Sequence, residues 1–184
     1  DNIKTTVGLF YEGLQGTPYS FLYQEGGRFN STDLLNDDSR DNALIYVPAT
    51  QSEINLVDIV DGDGNVTRTA AQQWSDLDAF IEGNDYLRTR SGGYAERNGA
   101  RSPWSHVVDL KLLQDFSLNF GNKKHTFQAS IDIFNFTNLL NSDWGVRQFT
   151  NFGEVALIRT EQGGPDPEFQ FDASRFEDGI FEID

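Results

Sequence analysis

The chain has 184 residues, 38% hydrophobic and 23% charged, with no Cys and no Met; the length fits one domain or a section of a longer polypeptide, and the missing Met predicts a mature form or internal segment. Lack of Cys excludes disulfides, thiolate metal sites and cysteine nucleophiles, and 14 basic against 29 acidic residues argue against nucleic acid as a partner. No apolar run reaches the roughly 18–20 residues of a membrane helix, which excludes helical membrane proteins, and no signal peptide is legible at the start; β-rich proteins remain open.

Ile3, Thr5, Val7, Leu9 and Tyr11 alternate with Lys4, Thr6, Gly8, Phe10 and Glu12, the period-two pattern of a strand. A turn at 13–18 leads to Tyr19, Phe21 and Tyr23 on one face, with Ser20 and Gln24 opposite. This predicts a hairpin over residues 1–24. Residues 25–104 carry a net charge of −7 and read as one long polar excursion, of a kind compact domains rarely contain. Within it the pattern predicts a short helix from Thr69 to Gly83. Thr69 caps the start, Trp74, Leu77, Phe80 and Ile81 form the apolar stripe, and Gly83 stops it.

Residues 105–142 are charge-balanced. Val108, Leu110, Leu112, Gln114, Phe116, Leu118 and Phe120 alternate with Asp109, Lys111, Leu113, Asp115, Ser117 and Asn119. This run is longer than the usual strand of five or six residues and fits a tilted membrane strand of roughly 9–11. After a turn at 121–124, Phe127, Ala129, Ile131 and Ile133 resume the apolar face, completing a second hairpin. Residues 143–184 again carry a net −7 and read as a loop. Short turns on one side and long loops on the other suit an outer-membrane barrel with a greasy face to lipid and a polar face to the lumen. Tyr11, Tyr19, Tyr23 and Trp104 would sit in its aromatic girdles. By period alone a soluble β-sandwich fits equally well; strand length and loop asymmetry favour the membrane.

A series of short motifs follows in order: Trp74-x-x-Leu77-x-x-Phe80-Ile81-Glu82, Asp85-Tyr86-Leu87, Gly92-Gly93, Arg97-Asn98-Gly99-x-Arg101-x-Pro103-Trp104, and Asp132-Ile133-Phe134-Asn135-Phe136-Thr137-Asn138-Leu139-Leu140-Asn141 with Trp144-Gly145. Together with Gly16-Thr17-Pro18-Tyr19-Ser20 and Asn42-Ala43-Leu44-Ile45-Tyr46-Val47-Pro48, this order resembles the C-terminal barrel of TonB-dependent outer-membrane receptors of Bacteroidota, Oar-like or SusC-like. The resemblance covers most of residues 3–145.

It implies an all-β fold: an antiparallel transmembrane β-barrel fragment, four strands of a barrel of about 22. Residues 1–24 and 105–142 would be barrel hairpins. Residues 25–104 and 143–184 would be extracellular loops, the second preceding a final strand that is missing. The implied partners are the rest of the barrel and its plug, the TonB complex acting through that absent plug, lipopolysaccharide and outer-membrane lipid, and a surface lipoprotein or larger membrane assembly. The implied function is energised uptake across the bacterial outer membrane, without enzymatic chemistry. Two alternatives stay open: a secreted carbohydrate-binding β-sandwich and a non-transporting barrel subunit.

Asp58, Asp61, Asp63 and Asn65 space oxygen ligands around glycines, as a candidate Ca²⁺ loop does. The match is partial because no Glu closes the loop, and a solvated Asp-Gly turn explains the same residues. Asn36, Asp37, Asp38 and Asp41 form a second acidic cluster that reads as solvated loop. His106 and His125 fall near opposite ends of adjacent strands, too far apart to share a metal. Arg88, Arg90, Arg97 and Arg101 with Tyr86, Tyr94 and Trp104 make one basic-aromatic patch suited to an anionic substrate or lipopolysaccharide. Pairing of its arginines with Glu82, Asp85 and Glu96 is the simpler expectation. By strict alternation Leu113, Phe134 and Phe136 face the lumen, where they would meet substrate or plug.

Overall fold

Period-two alternation becomes strand, so the structure is mostly β as the sequence predicts, and among the described residues no sheet closes into a barrel. The structure is a computed structural model describing residues 2–25, 34 and 43–183. The chain begins β1 (Ile3–Leu14), β2 (Pro18–Glu25), β3 (Tyr46–Val47), β4 (Ile59–Val60) and β5 (Val66–Arg68). Helices α1 (Ala70–Gly83) and α2 (Asp85–Arg88) follow, then β6 (Gly93–Tyr94), β7 (Ala100–Arg101), β8 (Ser105–Phe120) and β9 (Lys123–Ile133). Beyond them lie α3 (Phe136–Leu140), β10 (Gln148–Phe149), β11 (Glu154–Gln162), β12 (Glu168–Gln170) and β13 (Glu182–Ile183). The chain divides into two units: residues 1–16, 103–149 and 183–184, and residues 17–102 and 150–182.

The first unit is built on a three-stranded antiparallel sheet in the order β1-β8-β9. Its register sets Val7 opposite Leu112, Leu9 opposite Leu110, Leu112 opposite Ile131 and Phe116 opposite Phe127, so like faces like across both ladders. The hairpin predicted within 105–142 is present, turning at Gly121, whose φ of 60° favours glycine.

Strand β9 stops at Ile133, short of the Phe136 that strict alternation suggested. Asn135 adopts φ 50°, its N–H donates to Asp109 Oδ1 (2.8 Å) and its Nδ2 donates to the Gly145 carbonyl (3.1 Å). Gly145 itself has φ 70°, and a Cβ there would run into the Asn135 side chain. Asn138 Nδ2 adds bonds to the carbonyls of Ser142 (2.9 Å) and Trp144 (3.1 Å). The Asn135-to-Gly145 motif therefore clasps the end of the hairpin.

The expected hairpin over 1–24 does not form. β1 pairs with β8, and β2 lies instead in the second unit, in a mixed sheet ordered β12-β11-β2-β7. There β2 runs parallel to β11 and antiparallel to β7. The reason lies in its composition. Tyr19, Ser20, Phe21, Leu22 and Tyr23 are all buried, and a strand apolar on both faces needs cover on both. Tyr19 and Tyr23 are core residues and belong to no girdle.

The segment read as a loop, 143–184, supplies β11, a nine-residue strand with Val155, Leu157 and Ile158 buried. Both acidic excursions thus contribute to one hydrophobic core, which includes Phe21, Ile45, Val47, Leu77, Leu87 and Phe171.

Helix α1 forms as predicted, with Thr69 and Gln72 in a capping box and Leu77 and Ile81 buried. Its stop differs: Asn84 ends it and accepts from the Tyr86 and Leu87 N–H groups through Oδ1, capping α2. Gln73, fully buried, ties three segments together. Its Nε2 donates to the Val57 carbonyl (2.7 Å) and Arg68 carbonyl (3.4 Å), and its Oε1 accepts from Phe171 N–H (2.9 Å).

Burial raises the hydroxyl pKa of Tyr19 and of Tyr23 above 10.0. Tyr23 Oη also accepts from Tyr46 N–H at 3.1 Å. The unfolded chain ionises these groups at about pH 10 while the fold resists, so their contribution is complete below that pH and is lost as pH rises through the folded values. Unfolding titrations of the second unit are expected to be flat from about pH 7 to 9 and to weaken above about pH 10. A tyrosinate absorbance that appears without any loss of stability would contradict this.

Candidate functional site

The three-stranded sheet presents one continuous apolar face. The register places Ile3, Val7, Leu9 and Tyr11 of β1 beside Val108, Leu110, Leu112 and Phe116 of β8, and these beside Phe127, Ile131 and Ile133 of β9. Leu9 is 71% exposed and Phe127 63%, so no second layer of described residues covers the face. An exposed apolar area of this extent marks a contact surface rather than ordinary solvated surface.

Two polar side chains interrupt the stripe, and they satisfy each other. Thr5 Oγ1 donates to Gln114 Oε1 (2.7 Å), and Gln114 Nε2 donates to the Lys4 carbonyl (3.1 Å). Such internal pairing is what a face deprived of water requires.

Aromatic groups sit at both ends of this face. At one end the Tyr11 hydroxyl and His106 Nδ1 share a hydrogen bond of 2.7 Å, and the His106 ring stacks with both Tyr11 and Trp104. Gly13 leaves room for this group, since a Cβ there would press on the Tyr11 hydroxyl at 2.9 Å. At the other end Phe120 meets His125 edge-on. The histidines thus lie at opposite ends of the hairpin, as the sequence predicts.

The opposite face is polar and knit across the strands. Lys111 pairs with Asp132 at 2.9 Å, Gln128 Nε2 donates to Asp115 Oδ1 at 2.7 Å, and the Ser117 and Thr126 hydroxyls bond at 2.9 Å. Leu113 belongs to this face, opposite Thr6 and Ser130, as expected. Phe134 and Phe136 do not join it. Phe134 lies beyond the strand and is 79% exposed, and Phe136 begins α3, because the turn at Asn135 breaks the alternation.

Two of the four arginines of the patch form internal pairs. Arg88 holds Asp85 at 2.9 Å, and Arg90 holds Glu96 at 2.7 Å while lying over the Tyr86 ring. The Tyr86 hydroxyl accepts from Glu96 N–H at 2.6 Å, and Gly99 is glycine where a side chain would meet that hydroxyl. Arg97 and Arg101 are exposed. Trp104 belongs to the other unit.

The candidate calcium residues are divided between two tasks. Asp58 Oδ1 accepts from Ala70 N–H at 2.7 Å, at the start of α1. Asp61 closes the β4–β5 turn, its Oδ1 accepting from the N–H groups of Asp63 (2.9 Å) and Asn65 (2.8 Å), with Asn65 Nδ2 on Oδ2 (3.1 Å). These bonds, those from Asn65 foremost, lower the Asp61 pKa. The geometry matches the Asp-Gly turn, with Gly64 at φ 84°. Asn36, Asp37, Asp38 and Asp41 lie outside the described residues.

The second unit also contains a cleft of about 360 Å³ that no sequence motif marked. Phe152, at φ 53° and 77% exposed, stands at it, along with Phe176, Ile180 and Phe181. A positive φ is rare for a bulky residue and concentrates at functional positions. Arg175 crosses the cleft wall, donating to Gln24 Oε1 (2.7 Å) and the Ala156 carbonyl (3.1 Å). Burial lowers its pKa, and the nearby Asp172 opposes that shift.

Comparison with protein-family models, with curated proteins and with solved structures finds no match.

Proposed function

We propose that this chain is part of a TonB-dependent outer-membrane receptor, with β1, β8 and β9 crossing the bilayer and residues 17–102 and 150–182 forming surface loops that select cargo. The observation that carries this reading is the uncovered apolar face, flanked by aromatic groups and backed by a polar face. From Val108 to Leu118 the stripe runs about 33 Å along the strand at ~3.3 Å per residue. A strand tilt of about 40° reduces this to ~25 Å, the height of the apolar band of outer-membrane barrels.

Among the described residues β1 and β9 each pair with β8 alone. Backbone groups in hydrocarbon have no water to bond, so the reading places further barrel strands on both edges. The polar face then turns to a wet or plugged lumen, where Leu113 would touch plug or cargo. Cargo binding at loops and lumen, followed by plug movement driven from the inner membrane, accounts for uptake; no covalent step is involved.

Membrane extraction tests the proposal. The full-length gene product is expected to stay in the membrane pellet through alkaline carbonate washing and to leave it only with detergent. Release by carbonate alone would overturn the assignment.

A further inference from the structure

We infer that the cleft at Phe152 and Phe181 binds a peptide segment in which a large apolar side chain neighbours a basic one. The inference stands apart from the membrane reading, because every residue lining the cleft lies in the second unit.

Size limits the occupant first. A volume of about 360 Å³ sits at the low end of ligand pockets, about 300–1,000 Å³. It holds one large side chain and part of its neighbour, not a bulky cofactor. Composition limits it next. Leu22 and Val155, both nearly buried, lie at the inner end, and the rings of Phe152, Phe176 and Phe181 line the walls. An apolar side chain gains contact on several sides there, and the exposed Phe152 ring can attract a cation.

Charge selects the neighbouring group. Glu154, Asp178 and Glu182 line the cleft against a single guanidinium, that of Arg175. That guanidinium is turned to Gln24 and the Ala156 carbonyl and lies 5.4 Å from the Phe176 ring centre, so it serves as part of the wall. The surrounding segment is acidic as well, residues 143–184 carrying net −7. Such a field draws in cations and repels carboxylates and phosphates.

Three capped dipeptides that differ only in the second side chain, cationic, neutral or anionic, test the inference: acetyl-Phe-Arg-amide, acetyl-Phe-Gln-amide and acetyl-Phe-Glu-amide, titrated calorimetrically against the full-length protein. The Arg probe is expected to bind about tenfold more tightly than the Gln probe, and the Glu probe most weakly. Replacing two rim carboxylates (Asp178→Asn with Glu182→Gln) should bring the Arg and Gln probes within about twofold while leaving Gln-probe binding in place. Phe152→Gly, which suits the backbone at that position, should weaken all three. Absence of binding, equal binding of all three probes, or preference for the Glu probe would overturn the inference. Carbonate-extractable protein that still prefers the Arg probe would sink the membrane reading alone.

Discussion

On the membrane reading proposed above, Ile131→Arg is expected to destabilise the inserted protein by about 2–4 kcal/mol, the cost of a guanidinium near the middle of the lipid face of a barrel. Ile131 sits mid-strand opposite Leu112 and is 58% exposed. That exposure makes the experiment decisive. If the face met water, a substitution at so open a position would change stability by no more than about 0.5 kcal/mol. The neighbouring Ser130→Arg supplies the control, because Ser130 faces the polar side with Lys111 and Asp132. Folding titrations into lipid vesicles should separate the two variants clearly. Equal tolerance of both would mean that the apolar stripe does not face hydrocarbon.

Gln73→Leu is expected to cost about 3 kcal/mol or more in the second unit, though the replacement is apolar and close in size. Leucine leaves no cavity large enough to explain such a loss. The cost comes from the fully buried Phe171 N–H, which loses its 2.9 Å bond, and from the half-buried Val57 carbonyl, which loses one of 2.7 Å. Each buried group left unpaired costs about 1–3 kcal/mol, and the longer contact to Arg68 adds little. Gln73→Glu should fare no better, since it keeps the acceptor for Phe171 but loses the donors and buries a charge. Denaturant unfolding followed by Trp74 fluorescence would measure both. A loss under about 1 kcal/mol for the leucine variant would show that the three segments hold together without this side chain.

The parts of this protein that were legible in advance share one property: their pattern is local. Capping by Thr69, the Leu77–Ile81 stripe and the Val108–Phe120 alternation are written within a few turns or one strand. Helix α1 and the β8–β9 hairpin accordingly fall where they were expected. The hairpin expected over residues 1–24 failed for an equally physical reason. Tyr19, Phe21 and Tyr23 alternate well enough to suggest a one-sided strand, but Leu22 and Ser20 are buried too. Only the arrival of β11 on one edge and β7 on the other shows that β2 belongs to an interior. The apolar run Val155-Ala156-Leu157-Ile158 was the available hint that 143–184 holds a buried strand.

Composition and periodicity were enough to specify an all-β chain, a greasy stripe facing one way along residues 108–133, and two acidic stretches outside it. Partner choice was not, because strand pairing and core assembly depend on residues far apart in the chain. Gln73 and Phe171 stand 98 positions from one another, and Leu22 and Phe181 reach the same cleft from opposite ends of the unit. No window of neighbouring residues contains both members of such a pair, so the buried glutamine and the cleft became visible only once the chain was folded.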